Sequence, residues 1–529
     1  MPLRRVCVHA PHATRVVVAT AGGTVQAQRG EEWVAEVDAA DGECYWLLVD
    51  DGPPLLDPNC RAMINSVEGP RSVFRPPWAR YPAGSPLTAS PIVYELHVRG
   101  FGRTFRGCIE HLDHVASMGA NVIELMPVHP FDSSDNYWGY MPLVWGAVHG
   151  EYATDPSHAA EELAELVAAA HARGMHVWLD VVFNHTGEGA ASMPARSLRG
   201  LDDAHAYRRH VDDGHPNDTY TNDSGCGNDI NPADPYVREL VMEALERYAD
   251  LGIGGFRFDL TPLLARDGGG LIDRITEWGR HRGVTLIAEP WDLARYELGS
   301  TMWPGDWLQW NDRYRDDVRG FLRGESGMVA TFRERVAGSH DLIEGGPRSS
   351  LNFVTAHDGL TMHDLTTATS ERHRSWDCGD ELRLQQLKNY FAVLLLSAGT
   401  PMWVMGDEFG RTQQGHDNPY NIDGPLTWVD WKASESWAPL TDFVKALVRL
   451  RRAHPPGEFR FYGADGVVDE SEQSRSIAWC SNDLYVIVNS WWEPVSFTVQ
   501  EPGEWKLALA SVPPAGLRVA ARSVVVLVR

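Results

Sequence analysis

Four short apolar runs in this chain close on groups that can carry charge or move protons: HVWLDVVFNH (176–185), GFRFDL (255–260), TLIAEPWD (285–292) and LNFVTAHD (351–358). A nearly continuous apolar run reads as a strand buried on both faces, so Asp259 and Glu289 stand at the carboxyl ends of successive parallel strands. That edge is where α/β sheets and barrels gather ligands. Two carboxyls so placed could split an acetal. One gives a proton to the leaving oxygen and the other stabilises an oxocarbenium-like centre; held about 5 Å apart, they would work by double displacement with retention. Arg257 lies two residues before Asp259, on the same strand face, and favours the charged form of that carboxyl. Glu289 must instead keep its proton near neutrality, and burial beside Trp291 and other carboxylates would raise its pKa.

The elements that must position these groups alternate regularly. Strands are expected near 92–98, 122–128, 176–183, 255–260, 285–290, 307–311, 350–357 and 402–406. Helices are expected near 107–118, 159–173, 235–252, 271–282, 313–323, 381–397 and 441–453. Read as eight strand-helix units, residues 89–454 form a (β/α)8 TIM barrel of the α/β class. A polar stretch at 186–233 is too long for an ordinary loop and reads as an insertion. Short strand-like runs separated by turn residues place a β-sandwich at 1–88, divided from the barrel by the proline-rich connector 71–91. A second, antiparallel β-sandwich is expected at 455–529.

DVVFNH, GFRFD, IAEPWD and FVTAHD, in that order, resemble the four signature segments of the alpha-amylase superfamily of glycoside hydrolases. Any one alone is ordinary, since a strand-end acid commonly caps a helix; the ordered set of four is specific. The resemblance implies that Asp259 is the nucleophile, Glu289 the general acid/base and Asp358 a third carboxylate gripping sugar hydroxyls. It also implies that His185 and His357 contact the same glucose ring, with Asp180 and Arg257 as supporting polar residues and Trp291 beside them. Tyr137, in NYWGY (136–140), looks like the aromatic platform under that ring, with Trp138 as the alternative. SGCGN (224–228), AGTPM (398–402), GDEFG (406–410), NPYN (418–421) and LTWVDW (426–431) resemble the debranching group that contains isoamylase and bacterial glycogen debranching enzymes. That group implies hydrolysis of α-1,6 branch linkages in glycogen-like α-glucans, and a carbohydrate-binding-module-like fold for 1–88. Action on α-1,4 linkages or maltooligosyl-trehalose, transfer in place of hydrolysis, and a non-catalytic glucan-binding role are the alternatives.

Composition narrows the partners. A net charge of −25 disfavours nucleic acid and anionic membranes and says nothing against a neutral sugar. No apolar run reaches membrane-spanning length, and the cytoplasm is the expected location. Seven scattered cysteines without a CxxC pair argue against a disulfide framework or a zinc site, and no metal ligands are expected. The chemistry requires no cofactor. The acidic stretch 132–135 could hold a structural calcium, although hydrated loop acids are the commoner arrangement.

Overall fold

The computed structural model describes residues 2–82, 84, 87, 89–134, 136–212, 215–266, 268 and 270–529. Four residues of the proline-rich connector, and Asp135 of the acidic stretch, lie outside that set. Eight parallel strands close into a barrel: β1 (Val93–Leu96), β2 (Val122–Leu125), β3 (His176–Val181), β4 (Gly255–Phe258), β5 (Thr285–Ala288), β6 (Leu308–Asn311), β7 (Ser350–Phe353) and β8 (Thr400–Val404). They follow one another in chain order around the ring, and β8 pairs back onto β1.

Both faces of each strand are buried, which is why the runs read as continuously apolar. Outward residues such as Tyr94, Ile123, Leu179, Phe256 and Leu286 join the large core beneath the surrounding helices. Inward residues form a second, smaller core in which Val93, Val122, Trp178, Ile287, Trp310, Leu351, Phe353 and Met402 plug the barrel. Two residues further along, the interior of the first four strands turns polar, with Glu95, Glu124, Asp180 and Arg257 all buried.

Six of the seven crossovers carry helices, among them Ala159–His171, Pro235–Asp250, Gly270–Arg282, Asp312–Arg323 and Asp380–Leu396, and the helix Ala438–Ala453 follows β8. The expected eighth unit is different: between β5 and β6 the described chain runs through turns without a helix. Residues 289–307 hold Pro290, Pro304 and two glycines, which oppose helix formation. Buried Trp303 and Trp307 occupy the helix's place, and the Trp307 indole donates to Thr276 Oγ1 on the preceding helix at 3.0 Å.

Before the barrel lie a three-stranded sheet and a six-stranded sheet. The edge of the larger one is Val148–His149, contributed by the segment that follows β2 and paired in parallel with Ala62–Ser66. The N-terminal sheet is therefore completed by the barrel part of the chain. After the barrel, Phe459–Tyr462, Ser476–Ser481, Leu484–Asn489, Lys506–Ala510 and Ser523–Val528 form a five-stranded sheet. One face, with Trp479, Val486 and Val526, packs into the barrel core; the other packs on Phe497 and Val519. The 186–233 insertion holds the helix Leu198–Ala206 and the hairpin of Arg209–Asp212 with His215–Tyr220.

Gly255 pairs with Trp178 in the barrel register, and a Cβ there would lie 2.5 Å from the Trp178 ring. Gly255→Ala is expected to overpack the plug, costing about 1–3 kcal/mol, and to lower the thermal unfolding midpoint. An unchanged midpoint would show that Trp178 can move aside.

Candidate active site

Arg257 is the centre of the site. Its guanidinium, about 1% exposed, donates from Nη1 to both oxygens of Asp180 at 2.9 Å and to Asp259 Oδ1 at 2.9 Å. Its Nη2 lies 3.0 Å from Glu289 Oε2, and its carbon sits 4.4 Å from the centre of the Trp310 ring. Asn184 Nδ2 donates to Asp259 Oδ2 at 2.9 Å, so each Asp259 oxygen accepts from an N–H donor. The Leu260 N–H donates to Glu289 Oε2 at 2.7 Å. Leu260 adopts a left-handed backbone, φ 39° and ψ 52°, which a branched non-glycine residue rarely accepts. That strain accompanies the placement of its amide against the carboxyl.

One buried guanidinium cannot neutralise every carboxyl around it, and the groups separate accordingly. Burial pushes Glu289 up to about 8 against the pull of Arg257, with Asp259 and Asp358 adding to the rise. Burial likewise moves Asp180 up to about 6 although Arg257 opposes it. Glu124 is driven well above the carboxylate range by burial and by Glu95, and neither of its oxygens has a hydrogen-bond partner. Burial works against charge on His357, yet Glu95 at 2.8 Å raises it to about 9. Asp358 is exposed at the cavity, and although desolvation by its surroundings disfavours its charge, His357, Arg315 and Arg257 hold its carboxyl below the usual range.

Above these groups opens a cavity of about 580 Å³ lined by Trp138, Tyr140, His185, Cys226, Asp259, Arg315, Arg319, His357 and Asp358, among others. Four of the expected site residues, Asp259, Asp358, His185 and His357, thus share one space. Glu289 is 9% exposed and adjoins it through Arg257 and Leu260, which also lines the cavity. Asp180 and Arg257 lie beneath, as supports with no face on the cavity.

Two expectations are corrected. Tyr137 is 4% exposed, packs 4.1 Å from His97 and does not line the cavity. Its backbone N–H is tied to the Tyr420 carbonyl at 2.7 Å. Gly139 turns the chain at φ 95°, and Trp138 and Tyr140 face the cavity instead. Tyr140 stacks on His357 at 4.9 Å and its hydroxyl donates to Asp180. Trp291, expected beside the sugar, instead pairs with Tyr296 and packs onto the apolar plug. The sequence reading also passed over Arg315 and Arg319, four residues apart on one face of Asp312–Arg323, which face Asp358. Asp132 of the acidic stretch is held by Ser134 and by Arg196 at 2.8 Å.

A closed parallel barrel with paired carboxyls at its C-terminal rim, one held protonated and one fully hydrogen-bonded, defines a glycoside hydrolase of the alpha-amylase superfamily. Residues 95–210 match the family described as "Alpha amylase, catalytic domain". The chain is 34% identical over 489 residues to the "Glycogen operon protein GlgX homolog" of Mycobacterium tuberculosis, covering 81% of this chain and 67% of that protein. It is 33% identical to the "Glycogen debranching enzyme" of Klebsiella pneumoniae, covering 79% and 70%, and 33% identical to "Isoamylase SU1, chloroplastic" of Zea mays, covering 76% and 62%. Among solved structures, a pullulanase from Anoxybacillus sp. LM18-11 complexed with maltotetraose superposes with a TM-score of 0.83 at 24% identity, covering 99% of this chain and 86% of that one. The chain belongs to the glycogen debranching enzyme and isoamylase family.

The exchange of Tyr137 for Tyr140 is directly testable. Tyr137→Phe is expected to leave kcat/KM within about twofold, because Tyr137 does not line the cavity. Tyr140→Phe removes a hydrogen bond to a carboxylate, about 1.5–3 kcal/mol, and should lower kcat/KM by about tenfold to a hundredfold. The reverse order of effects would restore Tyr137 as the platform.

Proposed function

We propose that this enzyme hydrolyses α-1,6 branch linkages of glycogen-like α-glucans by double displacement, with Asp259 as nucleophile, Glu289 as general acid/base and Asp358 gripping the hydroxyls of the same glucose unit. The observation that carries the mechanism is Arg257 bonded through one nitrogen to Asp259 and through the other to Glu289. A shared guanidinium draws the two carboxyls together, which favours the spacing near 5 Å of retaining enzymes over the ~6.5–9.5 Å of inverting ones.

The remaining contacts assign the steps. Glu289 Oε2 already receives the Leu260 N–H and faces Arg257, so the acidic proton resides on Oε1 and passes to the glycosidic oxygen as that bond breaks. Asp259 attacks the anomeric carbon. The resulting glycosyl ester is opened by a water that Glu289, now a carboxylate, deprotonates, and the starting protonation returns. Tyr140 and His357 present an aromatic face to the sugar, and Asp358, kept ionised by His357 and Arg315, accepts from its hydroxyls.

Branch-linkage specificity is supported by the names of the relatives, glycogen debranching enzyme and isoamylase, and by the debranching-group segments at 224–228 and 426–431. A branched α-glucan is then the macromolecular partner. Among the described residues no helix is long and apolar enough to cross a membrane, and all seven cysteines are free. Free thiols support a reducing cytoplasm as the place of action.

Incubation with a branched limit dextrin should release linear chains, with iodine colour deepening as branches are lost. Asp259→Asn and Glu289→Gln should each abolish this release while leaving the thermal midpoint near wild type. Release at wild-type rate by either variant would remove that residue from its role, and shortening of linear chains at a comparable rate would reassign the linkage to α-1,4. Because Glu289 acts protonated and its carboxyl is raised to about 8, kcat/KM should hold below that pH and fall as pH rises through it. An alkaline limb absent up to pH 10 would contradict the assignment of the acid.

A further inference from the structure

On the side of the molecule where the N-terminal sheets meet the 186–233 insertion, three histidines converge on one buried carboxylate. Asp202 is about 6% exposed and lies where the helix Leu198–Ala206 breaks, at φ −153° and ψ 65°. His205 Nδ1 is 2.8 Å from Asp202 Oδ1, and His12 Nε2 is 3.9 Å from the same oxygen. The ligand atoms of His12, Asp202 and His205 all lie within 4.8 Å of one another, and the two imidazoles stack at 5.3 Å. His9 approaches the other oxygen, Oδ2, at 3.3 Å while its ring stacks on Tyr236 at 4.2 Å.

We propose that His12, Asp202 and His205 form a binding site for a divalent transition metal, zinc being the best fit, that fastens the N-terminal part of the chain to the insertion. The donor set is two imidazoles and one carboxylate, which suits zinc and its neighbours and not the all-oxygen shells of calcium or magnesium. Zinc bonds of about 2.0–2.2 Å in a tetrahedron set ligand atoms roughly 3.3 Å apart. The His205–Asp202 pair is already inside that distance, and His12, 3.9 Å from Asp202 with 67% of its side chain exposed, has room to close up. The fourth position faces solvent between the two exposed rings, open to water and to the entering ion. His9 takes the part of the outer partner that fixes a ligating carboxylate's orientation.

Other histidines of the chain meet one carboxylate each, as His158 with Asp155 or His373 with Asp417, whereas three converge on Asp202. Elsewhere the chain pairs its carboxylates mainly with arginine, as in Arg257 with Asp180 or Arg266 with Asp292. Here the groups that reach a nearly buried carboxylate are imidazoles, which are common metal ligands.

The site is tested on the full chain, stripped with a chelator and titrated with Co²⁺ as an optical probe and Zn²⁺ as competitor. Wild type should bind cobalt with the intense visible absorption of a low-coordinate imidazole site, zinc should displace it, and zinc should raise the thermal midpoint. His12→Ala and His205→Ala, both at exposed positions, should lose the band and the shift while folding as wild type. His9→Gln should keep the band with affinity weakened about 10–100-fold. Calcium and magnesium should produce no shift. A cobalt spectrum or zinc-induced shift that is absent in wild type, or unchanged in the His12→Ala, His205→Ala double variant, would overturn the proposal.

Discussion

The structure depends on one buried cation, the guanidinium of Arg257, set in a ring of acids and shielded from water on its lower side. An isolated buried charge is worth several kcal/mol of penalty, and Arg257 escapes it by binding Asp180, Asp259 and Glu289 together. The same contacts force inequality on those acids. Asp259 and Asp180 take the Nη1 donation, while Glu289 has a single Nη2 contact, is desolvated and has like-charged neighbours, and its carboxyl is the one raised to about 8. Replacing Arg257 by lysine would not reproduce this, since a point charge lacks the fork that spans two carboxyls.

What the guanidinium requires of the barrel can be traced through successive interior layers. Trp178 and Trp310 close the barrel below it, keeping the local dielectric low and offering a π face under its charge. Gly255 leaves room for the Trp178 ring, and two residues later the strand delivers Arg257 to the next layer. The far side of the cavity is balanced separately. Arg315 and Arg319 reach in from the helix after β6, and Glu95 charges His357, so Asp358 stays ionised without drawing on Arg257 alone. Asp358 thus draws on charges beyond Arg257, which lets an ionised Asp358 coexist with a protonated Glu289.

The barrel and three of its acids were legible in the sequence because burial on both strand faces writes a signal into every position: eight apolar runs, four of them ending in His, Asp or Glu. Features set by a single backbone torsion or by a few distant contacts left no such signal. Tyr137 and Tyr140 are equivalent as letters, and only the turn at Gly139 decides which ring meets the cavity. Trp291 follows Glu289 by two residues, as a cavity residue should, but the irregular chain after β5 folds it back toward Tyr296. The missing helix between β5 and β6 was foreshadowed by prolines and glycines, while its replacement by two packed tryptophans was not. Val148–His149 is a two-residue strand, too short for periodicity to register.

That short strand bears on how the site keeps its shape. The cavity wall contributed by Cys226 belongs to the 186–233 insertion, whose own structure is one broken helix and one hairpin, too little to bury a core. Its position is set from outside. The Leu56 N–H donates to the Arg196 carbonyl at 2.7 Å, and Leu201 packs in the N-terminal core with Leu55 and Leu143. Glu188 caps the same segment by accepting from the Arg196, Ser197 and Arg199 amides. The segment after β2, which carries Trp138 and Tyr140, is held in the same way, through Val148–His149 in the six-stranded sheet and Asn65 on Glu151 at 2.8 Å. The barrel therefore fixes the three carboxyls, and the N-terminal sheets help to fix two of the cavity's walls. Chemistry and substrate shape are built by different parts of the chain, and variation in the N-terminal part can alter which glucan fits while the acid pair stays in place.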